Sequence, residues 1–66
     1  MNIELIGTWA GEVYKALEVP RVLGMKALKK ATKLKKDEIM AALGWLGREG
    51  KITIAMLDEE IAVTLV

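Results

Sequence analysis

The C-terminal segment, residues 51–66, contains two short runs, KITIAM and IAVTLV, in which apolar side chains recur at every second position. This period of two is typical of strands that bury one face. The residues that share a face are Ile52, Ile54 and Met56 in the first run, and Ile61, Val63 and Leu65 in the second. The four residues LDEE, 57–60, join the runs, so the segment predicts an antiparallel hairpin with a four-residue turn.

The N-terminal part of the chain follows the three- and four-residue spacing of a helix with one buried face. Helix one is predicted over residues 3–17. Its expected inward residues are Ile3, Ile6, Ala10, Val13 and Leu17. Pro20 disfavours the helical conformation at Val19, so the run EVPR is a connection, and a short strand over residues 21–23 can follow it.

Two further helices are predicted before the hairpin. Gly24 can cap the second helix, which lies in the run MKALKKATKL. The third begins near Lys36 or Asp37, because carboxylates in a first turn complement the helix dipole, and Gly50 ends it as a left-handed residue. The residues expected to face inward are Met25, Leu28 and either Ala31 or Thr32 in helix two, and Ile39, Ala42, Leu43 and Leu46 in helix three.

The predicted order is helix, strand, helix, helix, strand, strand. This is the α+β arrangement of a winged helix-turn-helix, in which three helices accompany a small antiparallel sheet. We expect residues 1–66 to form a single domain. A chain of this length buries only about 60% of the surface that its unfolded form exposes, so its stability margin is small.

Four parts of the sequence carry a likeness to a known family. They are the run IGTWAG, the pair Val13 and Leu17, the residue Leu28, and above all the run ALGWLGREGKI. They resemble small stand-alone winged helix-turn-helix proteins of bacteria and archaea, catalogued as a domain of unknown function. The resemblance covers essentially the whole chain. It implies the fold and allows a homodimer, but it brings no catalytic or ligand residues. Gly47 departs from the family pattern, in which alanine is expected, and would loosen the last turn of its helix.

The composition excludes several kinds of active site. The chain has no cysteine and no histidine, which removes disulfides and the usual zinc sites. The hydroxyl nucleophiles that remain are Thr8, Thr32, Thr53, Thr64 and Tyr14, without a histidine base beside them. The carboxylates at 58–60 are expected to form a solvated turn rather than a metal site. We therefore predict a protein that is not an enzyme and that uses no cofactor, metal or small-molecule substrate.

The sequence also predicts a location. No run reaches the roughly 18 apolar residues of a membrane span, and the N-terminal run MNIELIGTWAGE lacks the basic start of a signal peptide. We therefore expect a cytoplasmic protein without a membrane partner. Many Lys, Glu and Ile residues and few thermolabile ones favour a thermophilic source.

Basic residues cluster around the predicted helix-turn-helix joint. In this motif the helix that precedes the recognition helix crosses the sugar-phosphate backbone of DNA, where lysines add sequence-independent affinity. The candidate nucleic-acid-binding residues are Lys26, Lys29, Lys30, Lys33, Lys35, Lys36 and Arg48. The alternative is an ordinary solvated lysine face, which a net charge of only +1 leaves open.

The outward face of helix three is poorly equipped to read bases. This face is centred on Asp37, Ala41, Gly44 and Arg48. Only Arg48 can make the bidentate hydrogen bonds that distinguish bases, and it lies at the far end of the helix, whereas base contacts usually come from the N-terminal end. The acidic turn at 58–60 would also repel phosphates rather than bind them.

A second hypothesis is that the protein is an interaction or homodimerisation module that does not bind DNA. A glycine inside a helix costs about 0.5–1 kcal/mol relative to alanine, so Gly44 suggests close packing against another element. The candidate interface residues are Leu5, Trp9, Met40, Ala41, Gly44 and Trp45. The alternatives are that Trp9 covers the protein's own core, and that Trp45 folds onto helix one while Gly44 is merely tolerated. Of the two hypotheses, the DNA-associated protein is the first choice.

Overall fold

The computed structural model describes residues 3–66, in which three helices accompany a three-stranded antiparallel sheet. The elements are α1 (Ile3–Leu17), β1 (Val22–Gly24), α2 (Met25–Thr32), α3 (Lys36–Arg48), β2 (Ile52–Leu57) and β3 (Glu60–Leu65). This order confirms the winged helix-turn-helix predicted from the sequence. The prediction also gave the bounds of α1 and the start of α3 correctly.

One apolar core joins the inward faces of the helices to the base of the sheet. The buried residues are Ala10, Val13, Leu17, Leu28, Ile39, Ala42, Leu43, Leu46, Ile52, Val63 and Leu65. The predicted helical faces therefore supply most of the core. Ile3 is an exception: it is exposed, because it lies at the very start of α1, beyond the part of the helix that other elements cover.

The sheet has the strand order β1-β3-β2, so β3 is central and β2 lies at one edge. Val63 of β3 pairs with Leu23 on one side and with Ile54 on the other. These three residues share the face that meets the helices, since directly paired residues in antiparallel strands lie on the same side of the sheet. On this face the rest of the protein covers only the start of β2, where Ile52 is the one buried residue of the strand.

Two boundaries before α3 differ from the prediction. Strand β1 covers 22–24 rather than 21–23, because Arg21 adopts a left-handed conformation with φ 80° that a strand cannot contain. Helix α2 ends at Thr32, and Lys33 is left-handed with φ 61°. The Thr32 hydroxyl donates to the Leu28 carbonyl oxygen at 2.6 Å, and Thr32 is half-buried while Ala31 is exposed.

The turn of the hairpin lies within the predicted run LDEE but is shorter than predicted. Leu57 pairs with Glu60, so only Asp58 and Glu59 form the turn, with φ values of 49° and 67°. Positive φ at both central residues is the geometry of a two-residue turn that matches the twist of the strands. We call the hairpin 52–65 the wing. Its outer half extends past the helices, which is why Ile54 and Met56 are 48% and 64% exposed although they share a face with Ile52.

Candidate nucleic-acid interface

Helix α2 carries a stripe of exposed lysines on the side opposite its buried anchor. The stripe consists of Lys26, Lys29 and Lys30, whose spacing keeps them on one side of the helix, and of Lys33, which follows at the C-terminal cap. Leu28 is fully buried and fixes the orientation of the stripe relative to the rest of the fold. Lys29 and Lys30 also lie in the last turn of α2, where positive charge interacts favourably with the helix dipole.

Local hydrogen bonds define the turn that carries the stripe into α3. The Lys33 amide donates to the Lys29 carbonyl oxygen at 2.8 Å, and the Leu34 amide donates to the Thr32 hydroxyl oxygen at 3.2 Å. At the start of α3 the Lys35 amide donates to a Glu38 carboxylate oxygen at 2.8 Å. Lys35 and Lys36 are exposed there, so all six candidate lysines surround this joint. Within residues 3–66 no ion pair occupies their amino groups.

A groove of about 620 Å³ separates the start of α2 and the start of α3 from the wing. Three lysines, Lys26, Lys29 and Lys36, contribute to its helical side, and Glu59 and Glu60 contribute from the wing. Its apolar lining includes Met25, Met40, Met56, Ala27 and Ile61. The acidic residues lower the positive potential at this end of the lysine cluster. The groove was not foreseen, since only the fold brings the lysines opposite a turn that lies far along the chain.

Arg48 does not join the lysine cluster. It is exposed at the last position of α3, and the helical rise places it about 18 Å along the axis from Lys36. Of the other residues on the outward face, Asp37 and Gly44 are exposed and Ala41 is half-buried. The part of α3 nearest the lysines therefore offers Asp37, Met40 and Ala41, none of which is a donor suited to base edges.

The candidate interface residues are divided between different surfaces. Met40 lies in the groove beside the wing, whereas Trp45 lines a separate groove with Gly7 and Gly11 of α1. Leu5 is 49% exposed near the start of α1. Trp9 is half-buried and packs against the core, which favours the interpretation that it covers the protein's own core. The structure thus does not gather these residues into one patch.

Among residues 3–66, Gly44 has no close neighbour that would explain its lack of a side chain. A Cβ atom built at Gly44 would meet no atom within 4 Å outside its own part of the helix. We expect the Gly44→Ala variant to raise the free energy of unfolding by about 0.5–1 kcal/mol, because alanine restricts the unfolded chain and is the better helix former. Urea denaturation followed by circular dichroism measures this change.

Gly50→Ala is the matched control for that measurement. Gly50 also has open space around its Cβ position, but its φ is +71°, which alanine adopts only with strain. We expect this variant to be destabilised. A loss of stability in Gly44→Ala would contradict this expectation.

Two further observations limit the chemistry of the described region. Between residues 3 and 66, no three His, Cys, Asp or Glu residues are grouped so that they could hold a metal ion. None of the helices in this part of the chain is long and apolar enough to span a bilayer.

Comparisons with known proteins agree with this architecture. A family model described as a winged helix-turn-helix domain (DUF2582) matches residues 1–65. The solution NMR structure of protein BT2368 from Bacteroides thetaiotaomicron is 28% identical, with a TM-score of 0.87, over 98% of this chain and 79% of that chain. A comparison with curated proteins gave no match.

A more distant structure shares the fold alone. It is that of BpsR from Bordetella bronchiseptica, in work on the regulation of its DNA binding by 6-hydroxynicotinic acid. It is 14% identical with a TM-score of 0.83, and the alignment covers 100% of this chain and 52% of that chain. This chain therefore spans about half the length of BpsR.

Proposed function

The chain belongs to the DUF2582 family of winged helix-turn-helix domains, and we propose that it is a non-enzymatic, DNA-associated protein that holds backbone phosphates through the lysines around its helix-turn-helix. The observation that carries this proposal is the exposed lysine stripe on α2. In this motif α2 is the helix that crosses the DNA backbone. The proposal includes a cytoplasmic homodimer.

Phosphate binding requires accessible positive charge more than it requires a defined geometry. The six lysines are exposed and free of ion pairs within residues 3–66, so they can exchange counterions for phosphates. The DNA binding of BpsR, a protein with the same fold, supports the proposal by analogy only.

Sequence-specific recognition is not expected from this surface. The start of α3 presents Asp37, Met40 and Ala41, and the wing tip presents Asp58 and Glu59. Carboxylates repel phosphates, and the apolar side chains lack the paired donors that distinguish bases. We therefore propose binding with little sequence preference, and any specificity would come from a second subunit or another protein.

The experiment is a titration of labelled duplex DNA at low and at physiological salt. We expect the logarithm of the association constant to fall with the logarithm of salt concentration with a slope of about −3 to −5, as expected for three to six phosphate contacts. Unrelated duplex sequences should bind within a few-fold of one another, and single strands serve as a further control.

The same titration can reject the proposal. If duplex DNA does not bind even at low salt, the protein is better explained as an interaction module. The observation in favour of that second candidate is the wing, where an acidic tip adjoins exposed apolar residues: Ile54, Met56 and Leu57. A regulator that lays its wing along DNA would bind the phosphates better with a basic wing tip, whereas the tip of this wing is acidic.

A further inference from the structure

We propose that two copies of this chain associate through the free edge of β2, which pairs antiparallel with β2 of the second copy to make one continuous sheet. This inference rests on the homodimer of the proposed function and names its surface, but it does not depend on DNA binding. It assigns the dimer contact to the wing, rather than to the tryptophan-bearing faces of α1 and α3.

Strand β2 is an unprotected edge. It pairs with β3 on one side only, and within residues 3–66 no backbone hydrogen bond is made on its other side. Natural edge strands are usually protected by charged residues, proline, bulges or short length. The six residues of β2, ITIAML, include no charge and no proline. The opposite edge, β1, has only three residues and so is protected by its length.

The side chains of β2 also leave apolar surface uncovered on both faces of the sheet. Ile54 is 48% exposed and Met56 is 64% exposed on the face toward the helices. Leu57 is 62% exposed on the opposite face. Pairing two such edges would satisfy the free backbone groups and bury apolar area on both faces in a single step.

The distribution of charge around β2 selects a second copy as the occupant. The strand follows a basic residue, Lys51, and leads into the acidic tip formed by Asp58, Glu59 and Glu60. Antiparallel self-pairing places the basic start of each copy beside the acidic end of the other. The Lys51 amino group now lies 5.7 Å from the centroid of the Tyr14 ring, and within residues 3–66 it has no carboxylate partner.

The register follows from the same charges. With the two-fold axis at Ala55, residue 55 lies opposite its own copy, Ile54 lies opposite Met56, and the Lys51 that precedes one strand lies beside the acidic turn 58–59 that follows the other. A two-residue slip, with the axis at Ile54, would place Lys51 opposite Leu57 and lose this complementarity. A one-residue slip is excluded because it would join opposite faces of the two strands. The pairing is two-fold symmetric and therefore closes as a dimer.

The register can be tested with single cysteines, because the chain has none of its own. In the Ala55→Cys variant the two thiols lie directly opposite each other at the axis. In Thr53→Cys, on the same face of the strand, they lie roughly 13 Å apart along the strands. Under mild oxidation we expect Ala55→Cys to form disulfide-linked dimer at least about tenfold faster than Thr53→Cys. Equal rates, or faster linkage through residue 53, would overturn the register.

The charges can be tested by reversal. We expect Lys51→Glu and Glu59→Lys, each alone, to raise the dimer dissociation constant about fivefold, since each ion pair occurs twice. The double variant should return to within about twofold of the original protein. Analytical ultracentrifugation measures the constants, with Trp9→Ala as a control that should leave them unchanged.

Failure of this inference can be told apart from failure of the proposed function. If the unmodified protein stays monomeric at several hundred micromolar, the β2 interface is wrong, whether or not the protein binds DNA. Weaker dimers in Trp9→Ala, with no effect of either charge reversal, would also overturn it and would move the contact to α1.

Discussion

Reversing the charges of Lys29, Lys30 and Lys33 should abolish binding to duplex DNA without unfolding the protein. All three side chains are exposed, Lys29 and Lys30 on one side of α2 and Lys33 at its C-terminal cap, and none joins an ion pair within the described part of the chain. Each lysine that neutralises a phosphate releases a counterion, and a glutamate in its place adds repulsion. We expect the triple Lys→Glu variant to lose at least about a hundredfold in affinity at moderate salt. Fluorescence anisotropy with a labelled duplex measures the loss.

Three controls make the result specific. Replacing the same three lysines with arginine preserves the charge and should preserve binding within a few-fold. The single variants Lys30→Glu and Lys15→Glu change the net charge equally, but Lys15 lies on α1 and lines the groove beside Trp45. We expect Lys15→Glu to weaken DNA binding much less than Lys30→Glu. Circular dichroism checks the fold. Unchanged affinity in the triple variant would rule out the α2 stripe as the contact.

Removing the side chain of Leu28 should have the largest effect on stability. Leu28 is the one buried residue of α2 and is 0% exposed, so it anchors that helix to the core. Leu→Ala changes at such sites cost about 2–5 kcal/mol, because the buried contacts are lost and a cavity remains. A domain of this size has about 3–10 kcal/mol in total. We therefore expect Leu28→Ala to be largely unfolded, or close to it, at 37 °C.

Leu5→Ala provides the matched control. It removes the same atoms from a leucine that is 49% exposed on α1, so the cost should stay below about 1 kcal/mol. Thermal and urea denaturation of both variants at low protein concentration give the comparison. Equal losses of stability in the two variants would show that α2 is not held by this single contact. Because the lysine stripe is carried by α2, Leu28→Ala should also weaken DNA binding.

Local signals explain which elements the sequence predicted well. The helical spacing, Pro20 and the left-handed Gly50 act within a few residues, and they placed α1 and α3 correctly. The hairpin turn was predicted too long because Asp58 and Glu59 lack the glycine or asparagine that usually marks two positive φ values. The exposure of the six candidate lysines was also predictable, since it requires only that they avoid the face of Leu28 and Ile39.

The tertiary structure alone decided what surrounds these elements. The alternation of apolar residues predicted that Ile52, Ile54 and Met56 share a face of the strand. The position of the helices decided that only Ile52 is covered. The groove places Lys26 and Lys36 across from Glu59, an arrangement made by residues that are distant in the chain. Periodicity describes each element from its own residues. Which elements meet, and which strand edge stays free, depends on packing between the elements. This is why the sequence predicted the lysine cluster but not the acidic side of the groove or the open β2 edge.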